Sequence, residues 1–224
     1  MKRFLLSGII VCFSVLMIGC GSSTGSESTT IKDNEDEQKY SKAESKKDEN
    51  YIKDGPLTKA NQWKNNDGEK IKLLKIITPN TLFDLDPIQM TILDIKLLEH
   101  YDLSADAKKE YQELTGKEQE NYLSIQISLK TEDTEPNKEV MFHGIDTIIT
   151  NTKQQIDVSK ESWTSLDVMG VGTFKGNVEK TGYLVVPFYG KADELKNLTI
   201  ISSKVWDNKE PTLYHDSEKK EFNF

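Results

Sequence analysis

The clearest pattern in the chain lies over residues 122–130. There Leu123, Ile125, Ile127 and Leu129 alternate with Ser124, Gln126, Ser128 and Lys130. Strict alternation places the two sets on opposite faces of an extended chain, so the segment predicts an antiparallel strand with one face on a core. Residues 70–77 carry Ile71, Leu73, Leu74, Ile76 and Ile77 and predict a second strand. A third runs over 88–98, with Ile88, Met90 and Ile92 in one phase and Leu93, Ile95 and Leu97 in the other. The slip at Ile92 and Leu93 is one residue, which a strand absorbs as a bulge.

Shorter strands are predicted at 146–150 and 154–158, joined by the turn Asn151-Thr152-Lys153, and then at 166–174, 181–189 and 195–206. Gly176-Asn177 and Gly190 supply turn residues between them. Pro187 lacks a backbone N–H and marks a strand end or an edge strand. One helix is predicted at 104–115. Ser104 is its N-cap, Leu103, Ala107, Tyr111 and Leu114 its apolar stripe, and Gly116 its stop. About seven short strands with little helix predict a β-sandwich carrying one inserted short helix.

The first 55 residues have a different composition. After Met1-Lys2-Arg3, an apolar run from Phe4 to Ile18 is interrupted only by Ser7, Gly8 and Ser14, and it ends Gly19-Cys20. A cationic start, a short apolar core and a small residue before the cut describe an export signal, too short for an ordinary membrane-spanning helix. From Gly21 onward the chain turns Ser- and Gly-rich, and residues 31–50 are nearly all charged or polar. Such a stretch cannot bury enough surface to offset chain entropy, so it predicts a disordered tether of about 30 Å end to end. A solvated charged helix over 38–54 is the alternative. The chain thus divides into a signal segment at 1–19, a tether at 20–55 and one folded domain at 56–224.

Met17-Ile18-Gly19-Cys20 resembles the lipobox of bacterial lipoproteins, with Met17 where the usual first residue is Leu. The resemblance implies cleavage between Gly19 and Cys20 and diacylation of the Cys20 thiol, which then anchors the chain to the outer face of the cytoplasmic membrane. Two acyl chains suffice for stable anchoring. Cys12 lies within the signal, so the mature domain has no cysteine to crosslink it. Residues 122–130, together with Asn177-Val178-Glu179-Lys180-Thr181-Gly182-Tyr183-Leu184-Val185-Val186-Pro187 and the strand from Leu195 to Ile201, look like the Ig-like domains of many Gram-positive lipoproteins. These domains are similar to the telokin-like, immunoprotective extracellular antigen fold. The resemblance covers residues 68–206 and implies an Ig-like antiparallel sandwich; the helix at 104–115 departs from the family's simplest form.

Charge narrows the partners. The chain carries a formal charge of −8, and loss of Lys2 and Arg3 with the signal makes it more acidic. Nucleic acid and an anionic leaflet both repel such a domain, so membrane attachment falls to the lipid and no nucleic-acid partner is expected. The three histidines, His100, His143 and His215, have no metal-ligand spacing. Asp84-Leu85-Asp86 lacks the ligand ladder of a calcium loop. The glycine run from Gly170 to Gly176 precedes a turn and a strand, where a phosphate loop needs a helix. No serine lies in a nucleophile elbow. No metal, cofactor or catalytic residue is therefore expected. Tyr101, Tyr111 and Tyr122 lie near the helix as candidate binding aromatics, weighed against simple packing of Tyr111 on the sheet; Trp163 and Trp206 are read as core or rim packing.

These readings predict a non-enzymatic binding or interaction module at the cell envelope. An accessory or immunity lipoprotein acting through one dedicated protein partner is the alternative, and an envelope hydrolase a further one.

Overall fold

The computed structural model describes residues 48–224, Pro136 excepted. The signal segment, Cys20 and the tether as far as residue 47 lie outside the described residues.

In chain order, β1 (Trp63–Asn66) and β2 (Glu69–Ile77) form a hairpin, and β3 (Thr81–Leu85) turns through Asp86 and Pro87 into the long β4 (Ile88–Tyr101). Helix α1 (Ala105–Thr115) leads to β5 (Tyr122–Asp133), followed by β6 (Glu139–Phe142), β7 (Ile145–Thr150) and β8 (Gln155–Asp157). Two one-turn helices, α2 (Val158–Glu161) and α3 (Leu166–Met169), precede β9 (Gly172–Lys175) and β10 (Glu179–Phe188). Then come β11 (Asn197–Ser202), β12 (Val205–Asp207), β13 (Leu213–His215) and β14 (Lys219–Asn223).

The strands assemble into three antiparallel sheets. The largest runs β1-β2-β4-β5-β10, with β3 paired to the first half of β4. The other two run β14-β11-β7-β8 and β13-β12-β6-β9. One core draws on all three: Phe83, Ile127 and Leu184 of the large sheet meet Phe142 and Phe174 of one small sheet and Ile148 and Ile200 of the other. The protein is an antiparallel β-sandwich, as the alternation predicts. A smaller cluster of Leu57, Ile71, Leu73 and Leu98 covers part of the large sheet's opposite face.

The two small sheets are halves of one bent sheet. Their orders match at three of four positions, because β6 continues into β7, β11 into β12 and β13 into β14 across a shared corner, while β8 and β9 at the fourth are separated by α2 and α3. The ladders shift register near this corner, at Ile201/Ser202 and at Val205/Trp206. Strands that pass from one sheet to another make such corners through bends and bulges.

Several local predictions hold. The β4–β5 ladder shifts between Ile92 and Asp94, where the hydrophobic phase slips. Ser104 caps α1 by accepting the Ala107 N–H at 3.2 Å, and Gly116 ends the helix in the left-handed region at φ 69°. Pro187 sits in β10, an edge strand of the large sheet.

Other segments depart from prediction. The expected strand at 166–174 is helix α3 followed by β9. Ser165 and Gly170 flank a single helical turn, and Gly170 takes φ 69°, which ends it. The alternation of Leu166, Val168 and Gly170 is not that of a strand face, since Leu166 and Val168 are exposed while Met169, Val171 and Phe174 are buried. The expected strand at 154–158 stops at Asp157, whose carboxylate accepts the Ser159 N–H at 3.1 Å and starts α2. The long strand expected at 195–206 breaks into β11 and β12 at the corner. The inserted helix expected at 104–115 is therefore joined by two others.

The segment carrying α2 and α3 closes the β10 edge. Trp163 N–H donates to the Val185 carbonyl at 2.9 Å, and the Thr131 hydroxyl donates to the Gly170 carbonyl at 2.5 Å. Covering a sheet edge in this way removes a site of unwanted strand pairing. Upstream of Pro56, residues 48–52 are tied to β1. Trp63 Nε1 donates to Asp48 at 2.7 Å, and Ile52 N–H donates to the Trp63 carbonyl at 2.8 Å.

Candidate functional site

The outer face of the large sheet gathers a polar and aromatic cluster. On β5, Tyr122 and Ser124 share the face opposite Ile125 and Ile127, and the register sets His100 of β4 beside Tyr122. Glu69, at the start of β2, reaches the same place. His100 Nδ1 lies 3.0 Å from Glu69 Oε2, and His100 Nε2 lies 2.8 Å from the Ser124 hydroxyl. The Tyr122 hydroxyl donates to the same Glu69 oxygen at 3.0 Å. Burial pushes the Glu69 carboxyl up, but hydrogen bonds from His100, Tyr122 and Asn66 and the charge interaction with His100 more than offset it, so the group is held below the usual glutamate range. The Tyr122 hydroxyl moves far up, first by burial and then by the adjacent Glu69 charge.

Three rings stack above this network. Tyr122 lies 4.2 Å from His100 and 4.2 Å from Tyr111 of α1, near-parallel to both at 11° and 16°. Trp163 stands edge-on to the two tyrosines at 84°. Stacked and edge-to-face pairs are favourable aromatic geometries. With its neighbours on both sides, the Tyr122 ring has no free face for a ligand. Tyr111 packs α1 onto the sheet, the plainer of its two sequence readings. Tyr101 stays apart, with Lys70 Nζ 5.9 Å from its ring.

Ser124, His100 and Glu69 follow the order of a hydrolytic serine triad. Their placement does not suit attack, because Ser124 has no exposed surface and His100 only 5%. A nucleophile must come within about 3 Å of its target atom. The arrangement instead holds Glu69 ionised and Tyr122 in place. Replacing Glu69 by glutamine should cost about 1.5–3 kcal/mol at neutral pH, as for hydrogen bonds to a charged group. A carboxyl with a lowered folded pKa contributes stability above the ordinary glutamate range and loses it as pH falls. Denaturant titrations at pH 7 and pH 3 should therefore show the wild-type advantage shrinking in acid; an equal advantage at both would mean that the charge plays no part.

The second concave region is a crevice of about 630 Å³ at the corner of the bent sheet. Two crossings are laced together there, Ser203 N–H donating to the Gly144 carbonyl at 2.7 Å and Ser202 N–H to the Glu218 carbonyl at 2.9 Å. Ile145, Val158 and Met169 provide an apolar floor. The rim is rich in hydroxyls, including Ser165 and Ser217, with the Trp206 indole beside them. The Ser202 hydroxyl accepts the Glu218 N–H at 2.9 Å, while the Ser165 side chain makes no capping bond to α3. Between this crevice and a groove of about 870 Å³ over the large sheet, α3 forms a rib. Leu166 and Trp206 are exposed on its crevice side, Val168 and Tyr183 on its groove side.

The remaining sequence candidates are dispersed. His143 is an exposed residue of the β6–β7 turn and joins the crevice lining, while His215 lies in β13 with Nδ1 2.6 Å from the Asp216 carbonyl. Asp84 ends in β3, bonded by Gln89 at 3.3 Å. Gly170, Gly172 and Gly176 serve the end of α3, the start of β9 and the turn after it. Among the described residues no three His, Cys, Asp or Glu side chains gather as a metal site, and no helix is long and apolar enough to cross a membrane. Trp206, read from sequence as core or rim packing, stands at the mouth of the crevice. Sequence reasoning missed the crevice itself. Its serines come from three segments, 159–165, 202–203 and 217, which only the fold brings together.

The class that this architecture defines is the antiparallel β-sandwich with a bent second layer. No family model matches the chain, and no curated protein matches it. Among solved structures it is similar to a functionally unknown protein from Listeria monocytogenes EGD-e, at a TM-score of 0.47 and 11% identity over 69% of this chain and 86% of that one.

Proposed function

We propose that the chain is an extracytoplasmic lipoprotein, anchored to the cell membrane by lipid on Cys20, whose sandwich is a non-enzymatic binding module that takes its ligand in the corner crevice. The observation that carries the binding reading is the crevice's lining: an apolar floor, a hydroxyl-rich rim and an exposed indole in one preformed cavity. Ligand sites combine such walls with a few placed polar groups. By contrast, the serine of the serine–histidine–glutamate chain has no exposed surface. The anchor reading is supported by the apolar run ending Gly19-Cys20 and the likeness to Ig-like lipoprotein domains of Gram-positive bacteria.

Mass spectrometry of the native N-terminus should find a lipid-modified Cys20 as the first residue, and Cys20→Ala should leave washed membranes or remain unprocessed. An unmodified mature terminus elsewhere would remove the anchor. For the module, the detergent-solubilised chain should be retained by insoluble envelope material, and the crevice-filling change Ser165→Tyr should release it. A second reading, action through one dedicated protein partner, is favoured by the exposed Leu166, Val168, Tyr183 and Trp206 around α3. Aromatic residues are enriched at protein interfaces.

A further inference from the structure

We infer that the corner crevice binds a neutral saccharide, with a pyranose ring laid against the Trp206 indole. This rests on the binding-module reading and names its ligand class.

Lys204 is the lysine of the lining, and its ammonium is 3.1 Å from Asp216, so its charge is already paired. Asp146 contributes a carboxylate to the same wall. An anionic ligand would face that carboxylate with no unpaired lysine or arginine in the lining to meet it. An ammonium ligand would find one carboxylate and no enclosing set of rings. The polar remainder is the His143 imidazole and hydroxyls; those of Ser159, Ser162 and Ser203 already donate within the protein, which leaves Ser165 and Ser217 to donate to and accept from a ligand. They suit a ligand whose own edge is made of hydroxyls.

Shape points the same way. A pyranose has an apolar C–H face and a polar rim. The crevice has an indole at its mouth, 36% exposed, apolar residues below and hydroxyls around. Its volume of about 630 Å³ is in the usual range for small-molecule sites, about 300–1,000 Å³. A peptide adding a strand would need an unpaired sheet edge. The strands that line the crevice, β7, β11 and β12, are interior members of their sheets with both edges paired. A ligand read by side chains fits this site, and one read by backbone pairing does not.

The test uses the mature lipidated chain in a detergent without a sugar headgroup. Methyl pyranosides and N,N′-diacetylchitobiose are the probes, followed by saturation-transfer NMR and calorimetry. At least one should bind, and Trp206→Ala should weaken it about tenfold or more, the effect of removing a dominant aromatic contact. Ser165→Tyr should weaken it likewise, while circular dichroism shows both variants folded. In parallel, envelope material is treated with periodate, which cleaves vicinal diols, or with protease, before the chain is added. Loss of retention after periodate alone supports the inference. Retention that survives periodate and is abolished by protease, with no probe bound, overturns the saccharide and leaves the module. Absence of retention on untreated envelope, with no probe bound, overturns both.

Discussion

Replacing Gly182 by alanine should cost more than about 4 kcal/mol, in the range reserved for a few specific mechanisms, or prevent folding altogether. Gly182 lies in β10 directly beneath α3. A Cβ added there would stand 2.2 Å from the Val168 carbonyl oxygen, and 2.3 and 2.5 Å from the Met169 carbonyl carbon and oxygen. These are backbone atoms, so no rotamer change relieves the overlap, and α3 would have to lift from the strand. Lifting it exposes Met169 and breaks the bond from Thr131 to the Gly170 carbonyl. Gly116→Ala is the comparison. Gly116 also needs a glycine, at φ 69°, but a Cβ there meets nothing within 4 Å. That change should cost about 1 kcal/mol, the ordinary price of a left-handed position. Urea titrations of the two variants measure both. A cost at Gly182 no larger than that at Gly116 would mean that α3 does not rest on β10.

Truncating Ile127 to alanine should cost about 2–5 kcal/mol. Ile127 has no exposed surface, and its ladder partners, Ile95 on β4 and Leu184 on β10, are equally buried. Removing its side chain leaves a void in the middle of three strands that cannot collapse without bending the sheet. Gln126, one residue earlier, faces the groove between Lys96 and Val185. Gln126→Ala should stay within about 0.5 kcal/mol, as for most surface changes. The described residues contain no cysteine, so adding a reductant should leave the unfolding midpoint unchanged. Equal costs at the two positions would show that β5 does not separate a buried face from an open one.

The contrast between Ile127 and Gln126 is readable in the sequence because it is local. A strand reverses its faces at every residue, so the order of apolar and polar side chains over 122–130 already states which face is buried. The bulge in β4 is equally local, since one slipped residue near Ile92 must be absorbed somewhere in its own ladder. The ends of α1 are written in Ser104 and Gly116, whose side chain and backbone act within one turn of the helix.

What only the tertiary structure decided is non-local in every case. Helix α3 has four residues, too short to be stable alone, and it exists because Gly182 lets it rest on β10. Read without that contact, its apolar residues look like a strand. Glu69, His100 and Ser124 are separated by 31 and 24 residues and meet only through the registers of β2, β4 and β5. The crevice depends on where β6, β11 and β13 leave one sheet for the other, which is set by packing around the shared core. Its serines come from three segments distant from one another in sequence, 159–165, 202–203 and 217, and only the fold brings the three together. The sequence by itself determined which face of each long strand is buried, because alternation is a property of neighbouring residues. The bend, the one-turn helices and the cavity they enclose were decided by contacts between segments that share no local pattern.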